Sequence, residues 1–496
     1  MACLGGKGPL VATPKKILLP HLTLTEVVGS GDDEAVPVAI AASPHRPEET
    51  YFVRPLTIGV DGKRRDGKPR WVKSQFNLFP VVLDSHGVPW AEATVYLLSR
   101  LESVTAPAMA TYASIAEDLA AYRRFLDETG IDWSEFPSQR LSRPTYRYNA
   151  HLKFAVGAGE VAATTAKRRM SAVIAFYSWL KEEGTLDPEN APWRESDRYV
   201  QFKDHLGFKV SKTVTTTDVS IRVAKQHDPY DGTIDDGGKL RPLPLQEQEW
   251  LLDALVSLGN TEMTLVHLFA LLTGARIQTI LTFRVRHACL ELDGARSGEI
   301  RFPVGSGTGI DTKHDKQMVL HIPVWFYRML HTYAGSERAR RRRVLASGGD
   351  TEDQYLFLSV RGAPLYQGKA EALAFDESNT LRHRKAGQGV RQFIIERVIP
   401  FIRDKYGVDD FHYQFHDTRA TAGMNWTDHQ LKLVEQGKAT LKEAREFVKT
   451  RMGHESSATT DLYLQYRRNL AHVRWVGESY EGHLKQLAAR AMEGCV

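Results

Sequence analysis

One stretch of the sequence lacks the pattern of a regular hydrophobic core, and we expect it to divide the chain. The run Asp228-Pro-Tyr-Asp-Gly-Thr-Ile-Asp-Asp-Gly-Gly238 is rich in turn-forming residues and has no hydrophobic periodicity. The chain of 496 residues is also too long for one ordinary core. We therefore interpret residues 205–241 as a linker between two larger parts of the protein.

The part before this linker is predicted to contain a helical domain over residues 91–204. Apolar side chains recur at three- and four-residue spacing in two stretches, which predicts two amphipathic helices. The first stretch carries Ile115, Leu119, Tyr122 and Phe125, and the second carries Met170, Val173, Ile174, Tyr177 and Leu180. Thr164 or Thr165 is expected to cap the second helix, and a polar stretch around Pro144 is expected to separate the two.

The two ends of the chain and the part after the linker complete the predicted organisation. Residues 1–90 contain two short strand-like runs, at 51–55 and 79–83, and are interpreted as an N-terminal arm or accessory subdomain. Residues 242–481 are mainly helical, but the runs 300–304 and 318–323 predict a β-hairpin with lysines near its turn. Residues 482–496 carry an apolar stripe and predict a C-terminal helix. The expected fold is mainly α with a small β-sheet (α+β).

Composition excludes some classes of protein. No apolar run reaches eighteen residues, so we expect no transmembrane helix. The N-terminus lacks a signal-peptide pattern, which favours a cytoplasmic protein. The three cysteines lie far apart without a C-x-x-C pair, so neither a disulfide framework nor a structural zinc site is expected.

The net charge of +5 is small, but the basic residues are clustered. The clusters are Lys167-Arg168-Arg169, Arg340 to Arg343, and Arg382 to Lys385. A cluster of this kind fits a polyanionic partner such as nucleic acid, and it fits a solvated helix face equally well.

Three short motifs carry the residues that phosphoryl transfer requires. They are Leu272-Thr-Gly-Ala-Arg276, Phe415-His-Asp-Thr-Arg419, and Gly453-His454 followed nine residues later by Tyr463. Arginine suits the neutralisation of phosphate charge, because its planar fork meets two oxygens and keeps its proton. A tyrosine can form a covalent intermediate when a base or a positive charge activates it. Each motif alone has an ordinary structural explanation, a surface arginine after a turn or a tyrosine in a core helix.

Together, the motifs resemble the tyrosine recombinases of the phage-integrase family, whose boxes have the forms T-G-x-R, H-x-x-R and G-H-x8-Y. The order of the boxes and the nine-residue spacing match, and the resemblance covers roughly residues 92–480. It implies a helical core-binding domain followed by a catalytic domain. It also implies a site-specific recombinase or integrase that cuts and rejoins DNA through a 3′-phosphotyrosyl bond, without metal, ATP or any other cofactor.

The resemblance also implies a role for each matching residue. Tyr463 would attack the scissile phosphate, while Arg276 and Arg419 hold its oxygens. His416 would take part in proton transfer, and His454 would donate a hydrogen bond to the phosphate. Lys313 would be the general acid for the leaving oxygen, with Lys316 at the same turn as its rival. Tyr466 is a second candidate nucleophile that the nine-residue spacing disfavours.

The expected partner is double-stranded DNA, held in a C-shaped clamp with Lys167, Arg168 and Arg169 on phosphates. The resemblance further implies a tetrameric synapse on DNA, in which residues 482–496 dock onto a neighbouring protomer. Packing of this helix onto its own domain is the alternative. No membrane partner is expected.

The match has three departures, and other functions share parts of the pattern. Thr279 stands where the family often has an acid, Ala420 where it often has a histidine, and the lysine lies farther from Pro323 than usual. A type IB topoisomerase would use the same chemistry, and a DNA-binding protein that has lost catalysis would keep the fold. A two-metal nuclease is disfavoured, because the sequence has no suitable cluster of carboxylates.

Overall fold

The computed structural model describes residues 13–28, 52–54, 70–102, 107–203, 209–223, 231–290, 298–373, 385–476 and 485. These residues form two compact units. The first comprises the described residues within Met1–Lys225 and Ala370–Arg384, and the second those within Gln226–Lys369 and Lys385–Val496. The division after Lys225 falls inside the segment that was interpreted as a linker.

A three-stranded sheet begins the first unit. Strand β1 (Lys15–Val28) pairs antiparallel with β3 (Arg70–Leu83) along its length, from Lys15 opposite Leu83 to Val28 opposite Arg70. Strand β2 (Phe52–Arg54) pairs in parallel with the C-terminal end of β1. The sequence predicted the strand at 79–83, and the structure extends it back to Arg70.

Four helices provide most of the core of the first unit. They are α1 (Ala91–Glu102), α2 (Met109–Thr129), α3 (Pro144–Gly157) and α4 (Ala163–Glu182). The predicted stripes of α2 and α4 are buried except for Ile115 and Ile174, which are half-buried, and the hydroxyls of Tyr122 and Tyr177 lie 2.8 Å apart.

Two local predictions in this region were wrong. The stretch around Pro144 is a helix, because proline at the first helical position has a favourable φ and lacks only an N–H that would be unpaired there. Helix α4 begins at Ala163 after Ala162 without a side-chain cap, so Thr164 and Thr165 lie inside its first turn.

The segment 205–241 contains regular structure. Strands β4 (Glu195–Lys203) and β5 (Lys209–Thr217) form a hairpin in the first unit. In the second unit, β6 (Ile234–Asp235) and β7 (Lys239–Leu240) form a much shorter hairpin around a three-residue turn.

The second unit is mainly helical. Its first helices are α5 (Leu245–Ser257), α6 (Thr261–Thr273), α7 (Ile277–Leu281) and α8 (Val285–Ala288). The predicted hairpin is confirmed as β8 (Glu299–Val304) and β9 (Met318–Pro323), and Lys313 begins a 3-10 turn between its strands. Helices α9 (Val324–Gly335) and α10 (Glu337–Val344) follow, and α11 (Lys369–Leu373) belongs to the first unit from its second residue onward.

The remaining helices carry two of the three sequence motifs. Helix α12 (Gln388–Phe393) continues through a π turn, Ile394–Val398, into α13 (Ile399–Tyr406). Helices α14 (Asp417–Glu435), α15 (Leu441–Met452) and α16 (Ser457–Val476) complete the unit. The predicted C-terminal helix 482–496 lies outside the described residues, except for Lys485.

The predicted class, mainly α with small antiparallel sheets, is confirmed. The core of the second unit is formed by aromatic and aliphatic side chains of α6, α7, the β8–β9 hairpin and α9, including Phe269, Ile280, Leu281, Phe283, Leu320 and Phe326. Among the described helices, none has the length and apolarity needed to cross a bilayer.

Candidate active site

The first motif forms a tight turn between α6 and α7. Helix α6 ends at Gly274, which has a left-handed backbone (φ 62°), and Arg276 precedes the first residue of α7. A β-carbon on Gly274 would lie 3.1 Å from the sulfur of Met452. Glycine at this position therefore allows both the left-handed backbone of the turn and the close approach of the end of α15. Buried Ile280 and Leu281 anchor α7 behind Arg276.

The guanidinium of Arg419 is buried at the start of α14 and uses three of its nitrogens. Nη1 donates to the carbonyl of Gly274 at 2.6 Å, and Nη2 to the carbonyl of Met452 at 2.8 Å. Nε donates to Oδ2 of Asp236 at 2.8 Å. Arg419 thus connects the turn of the first motif to the end of α15, and directs one donor toward a carboxylate.

His454 follows the C-terminus of α15. Gly453 ends that helix with φ 63°, and a β-carbon there would lie 2.9 Å from Cε of Met318 on β9. Nδ1 of His454 is 2.9 Å from the hydroxyl of Thr460, and Nε2 is 3.2 Å from Oδ2 of Asp236. Because an ionised carboxylate only accepts hydrogen bonds, Nε2 is the donor in this contact.

Tyr463 lies on α16 with no exposed surface. Its hydroxyl donates to Oδ2 of Asp236 at 3.1 Å, and its ring centroid is 5.6 Å from that of His454. Across the ring, a β-carbon on Gly423 of α14 would lie only 2.5 Å from Cε1 of the tyrosine. The alternative nucleophile Tyr466 instead contacts the carbonyl of Gly232 at 3.4 Å.

Asp236 is the centre of this arrangement, and the motifs did not predict it. Its carboxylate also lies 3.5 Å from Nη2 of Arg276, an ionic contact at the limit of hydrogen bonding. The signal in the sequence was Ile234-Asp-Asp-Gly-Gly-Lys-Leu240, an Asp-Gly turn between apolar residues that is typical of a hairpin. We interpreted that run as linker.

The charges around Asp236 determine its protonation and that of Tyr463. Burial alone would raise the pKa of the Asp236 carboxyl, but the hydrogen bond from His454 and the charges of Arg419 and Arg276 outweigh burial and lower it. Asp236 is therefore ionised at neutral pH. Burial, reinforced by the Asp236 charge, raises the pKa of Tyr463 well above its ordinary value, so its phenol is protonated.

His416 lies beside the two arginines. Burial first, and then the charges of Arg419 and Arg276, lower the pKa of His416 to about 4. Its ring makes no hydrogen bond to any residue that the structure describes. Neutral at pH 7, it is able to accept a proton.

A cavity of about 470 Å³ opens next to these residues, and its lining includes Arg276, Lys313 and His416. Nζ of Lys313 is close to the Asp236 turn, because a β-carbon on Gly237 would lie 3.2 Å from it. Nζ of Lys316 instead pairs with Glu455 at 3.2 Å. Of the two candidate lysines, the placement favours Lys313.

The predicted DNA-binding trio lies in the first unit and is not a uniform exposed face. Lys167 is exposed and pairs with no acidic side chain in the described chain. Arg168 pairs with buried Asp118 at 3.1 Å and also contacts the hydroxyl of Ser114. Arg169 is half-buried, and its Nε has no hydrogen-bond partner among the residues that the structure describes.

The structure thus brings four predicted residues onto one carboxylate, Arg276, Arg419, His454 and Tyr463, and places Lys313 and His416 beside them. Thr279, where an acid was expected, is buried. Within the described ranges, no group of three or more His, Cys, Asp or Glu side chains could hold a metal ion.

Comparison with known proteins found similarity to solved structures only. No protein-family model matches the sequence, and no curated protein matches it significantly. A lambda integrase fragment bound as a dimer to a COC′ core site is 14% identical, with a TM-score of 0.41, over 74% of this chain and 94% of that one. The Tn1549 transposon integrase is 14% identical (TM-score 0.39; 77% and 99% covered), and XerA recombinase 15% (0.27; 77% and 98%).

The contact between Gly423 and Tyr463 predicts a position that tolerates no side chain. Gly423→Ala should destabilise the protein by about 1–3 kcal/mol, because the added methyl group overlaps a buried ring. Urea unfolding measures the change. Gly335→Ala is the matched control, since a β-carbon at Gly335 of α9 meets nothing within 4 Å. Equal stabilities of the two variants would show that the ring is not held as described.

Proposed function

We propose that this protein is a tyrosine recombinase that cuts and rejoins DNA through a covalent bond to Tyr463. One observation carries the proposal: two arginines, a histidine and a tyrosine from three separate motifs meet at a single anion, the carboxylate of Asp236. A phosphoryl-transfer transition state is stabilised by hydrogen-bond donors that are already directed at the position of its negative charge.

In the proposed reaction, Oη of Tyr463 forms a bond to the scissile phosphorus while the bond from phosphorus to the 5′ oxygen breaks. The phenolic proton passes to His416, whose pKa of about 4 leaves it unprotonated at neutral pH. The 5′ oxygen takes a proton from Lys313 and leaves as a hydroxyl. Rejoining is the reverse reaction, in which a 5′ hydroxyl attacks the phosphotyrosyl bond.

The remaining residues would bind the phosphate. Nε of Arg419 already donates to the carboxylate of Asp236, so it is the donor that would bind a non-bridging oxygen placed there, while the terminal nitrogens hold backbone carbonyls. Arg276 lies at the cavity and can reach a second oxygen. His454 would donate through Nε2, as it does to Asp236. The phosphotyrosyl bond conserves the energy of the broken bond, so the scheme calls for neither metal nor ATP.

The proposal includes the partners that the sequence resemblance implies. The substrate is double-stranded DNA, residues 91–204 and 242–481 are its two main binding domains, and a homotetramer forms the synapse. In the first unit, Lys167 is the best candidate for a phosphate contact, because Arg168 is already paired with Asp118. Location in the cytoplasm stays a prediction from the sequence.

The identity of the nucleophile can be tested with DNA substrates of mixed sequence. Nicked duplexes with a randomised core trap a covalent adduct, because the short 5′ fragment diffuses away before rejoining. The protein should form an adduct that survives denaturing electrophoresis, and Tyr463→Phe should abolish it for want of a nucleophile. Tyr466→Phe is the control and should keep it. An adduct that persists in Tyr463→Phe, or none with the unaltered chain across the pool, would contradict the proposal.

The general acid can be identified by changing the leaving group. Lys313→Ala should slow cleavage by about 10²–10⁴-fold, because the 5′ oxygen then leaves without a proton. A substrate with sulfur at the bridging 5′ position should restore the rate, since a thiol is far more acidic than an alcohol and leaves as its anion.

Lys316→Ala is the control for this experiment, because Lys316 pairs with Glu455. It should cleave the oxygen substrate at nearly the normal rate. Rescue by sulfur in Lys316→Ala, and none in Lys313→Ala, would assign the acid to the other lysine.

The DNA contact of α4 can be tested by salt dependence. Lys167→Ala should weaken binding to non-specific duplex DNA and reduce the slope of log K against log salt by about one, because one phosphate contact is lost. Lys181→Ala, an exposed lysine at the other end of the helix, is the control. Fluorescence anisotropy over a salt series gives both slopes. An unchanged slope for Lys167→Ala would remove this lysine from the interface.

A further inference from the structure

The carboxylate of Asp236 occupies space that a substrate phosphate needs. Its Oδ2 is 3.1 Å from Oη of Tyr463, 2.8 Å from Nε of Arg419 and 3.2 Å from Nε2 of His454. In-line attack requires the reacting atoms to approach to roughly 3–3.5 Å. A phosphate that accepts from the same Arg419 and His454 donors at that distance from Oη would occupy the position of the carboxylate, so the two anions compete for one place.

We propose that Asp236 is an internal stand-in for the substrate phosphate, which keeps the site closed until a DNA phosphate displaces it. This inference rests on the proposed function, and it adds regulation of the same site. The carboxylate uses the same donors that a phosphate would use, and its charge balances the two arginines when DNA is absent. It also holds the phenol of Tyr463 as a hydrogen-bond donor, in its protonated and unreactive form.

The hairpin around Asp236 is anchored at its base. Ile234 and Leu240 are buried, and Ile234 packs in a cluster that includes Tyr463. The backbone N–H of Arg241 donates to Oδ1 of Asp417 at 2.9 Å, which fixes the chain after β7 to the start of α14. These contacts keep the hairpin in place when its turn changes conformation.

The turn itself contains two glycines, whose backbone dihedral angles have few steric restrictions. Gly237 (φ 75°) and Gly238 (φ 151°) follow Asp236 directly. A single backbone hydrogen bond, from the N–H of Asp236 to the carbonyl of Gly238 at 3.1 Å, spans the turn. Glycine adopts many backbone conformations without strain, so the carboxylate can withdraw by rearrangement of three residues.

A different role for Asp236 is that of a permanent counter-ion, which replaces the acid missing at Thr279. A counter-ion needs to contact the arginines, but it has no need to contact the nucleophile. Asp236 contacts Tyr463 and His454 as well as both arginines, which favours the stand-in. The two roles predict different effects on phosphate binding when the charge of Asp236 is removed.

Binding of inorganic phosphate to the full chain tests the proposal directly, by isothermal titration calorimetry. Asp236→Asn keeps the size of the side chain and removes its charge, and Asp236→Ala empties the position. Both variants should bind phosphate at least about tenfold more tightly, because the competing anion is gone. Asp235→Asn is the matched control, an exposed aspartate one residue away that should bind as the unaltered chain does. Adding Arg276→Ala to Asp236→Asn should remove the gain.

The outcomes separate this proposal from the proposed function. Folded Asp236 variants that bind phosphate no more tightly would overturn the stand-in, even if the chain forms the Tyr463 adduct. Tighter phosphate binding without any adduct would support the stand-in and count against the recombinase. If neither variant folds, as circular dichroism would show, Asp236 is a permanent counter-ion and the proposal fails.

Discussion

The candidate site depends on the hydrogen bonds that one buried group, the guanidinium of Arg419, makes to its neighbours. A charged group away from water must have its hydrogen-bond donors satisfied, and removal of one partner of a buried ion pair costs roughly 3–5 kcal/mol. Arg419 meets this demand with the carbonyls at the ends of α6 and α15 and with the carboxylate of Asp236. Segments far apart in the sequence are thereby positioned relative to one side chain. The motif residues can only function together, because the arginine that would bind phosphate also determines where its neighbours lie.

Close packing imposes a second constraint of the same kind. Gly274, Gly423 and Gly453 each lie where a β-carbon would meet a side chain of another element within 3.1 Å. At Gly453 that element is β9, so the turn that carries His454 is in direct contact with the hairpin that carries Lys313. The three glycines thus allow α6, α14, α15, α16 and the β8–β9 hairpin to approach one another closely around the site.

The sequence predicted the parts of the site whose chemistry is encoded locally. The motifs identified Arg276, Arg419, His454 and Tyr463, and alternating apolar residues identified the hairpin with Lys313. Asp236 was missed because turn-forming residues have the same pattern in a linker and in a tight hairpin. What distinguishes the two is burial of the flanking residues, which depends on the rest of the fold. Similarly, the pairing of Arg168 with Asp118 joins two helices, and the periodicity of one helix cannot reveal it.

The burial of Tyr463 bears on the fate of any covalent intermediate. Its side chain has no exposed surface, and Gly423, His454 and Asp236 surround the ring and hydroxyl. In the proposed reaction, an ester formed at that oxygen would be shielded from bulk solvent by these residues. Bulk water would then be a poor competitor of the 5′ hydroxyl, although water is present in vast excess. In the proposed reaction, burial of Tyr463 would therefore favour resealing of the strand over its hydrolysis, which is the difference between an enzyme that exchanges DNA ends and one that leaves them broken.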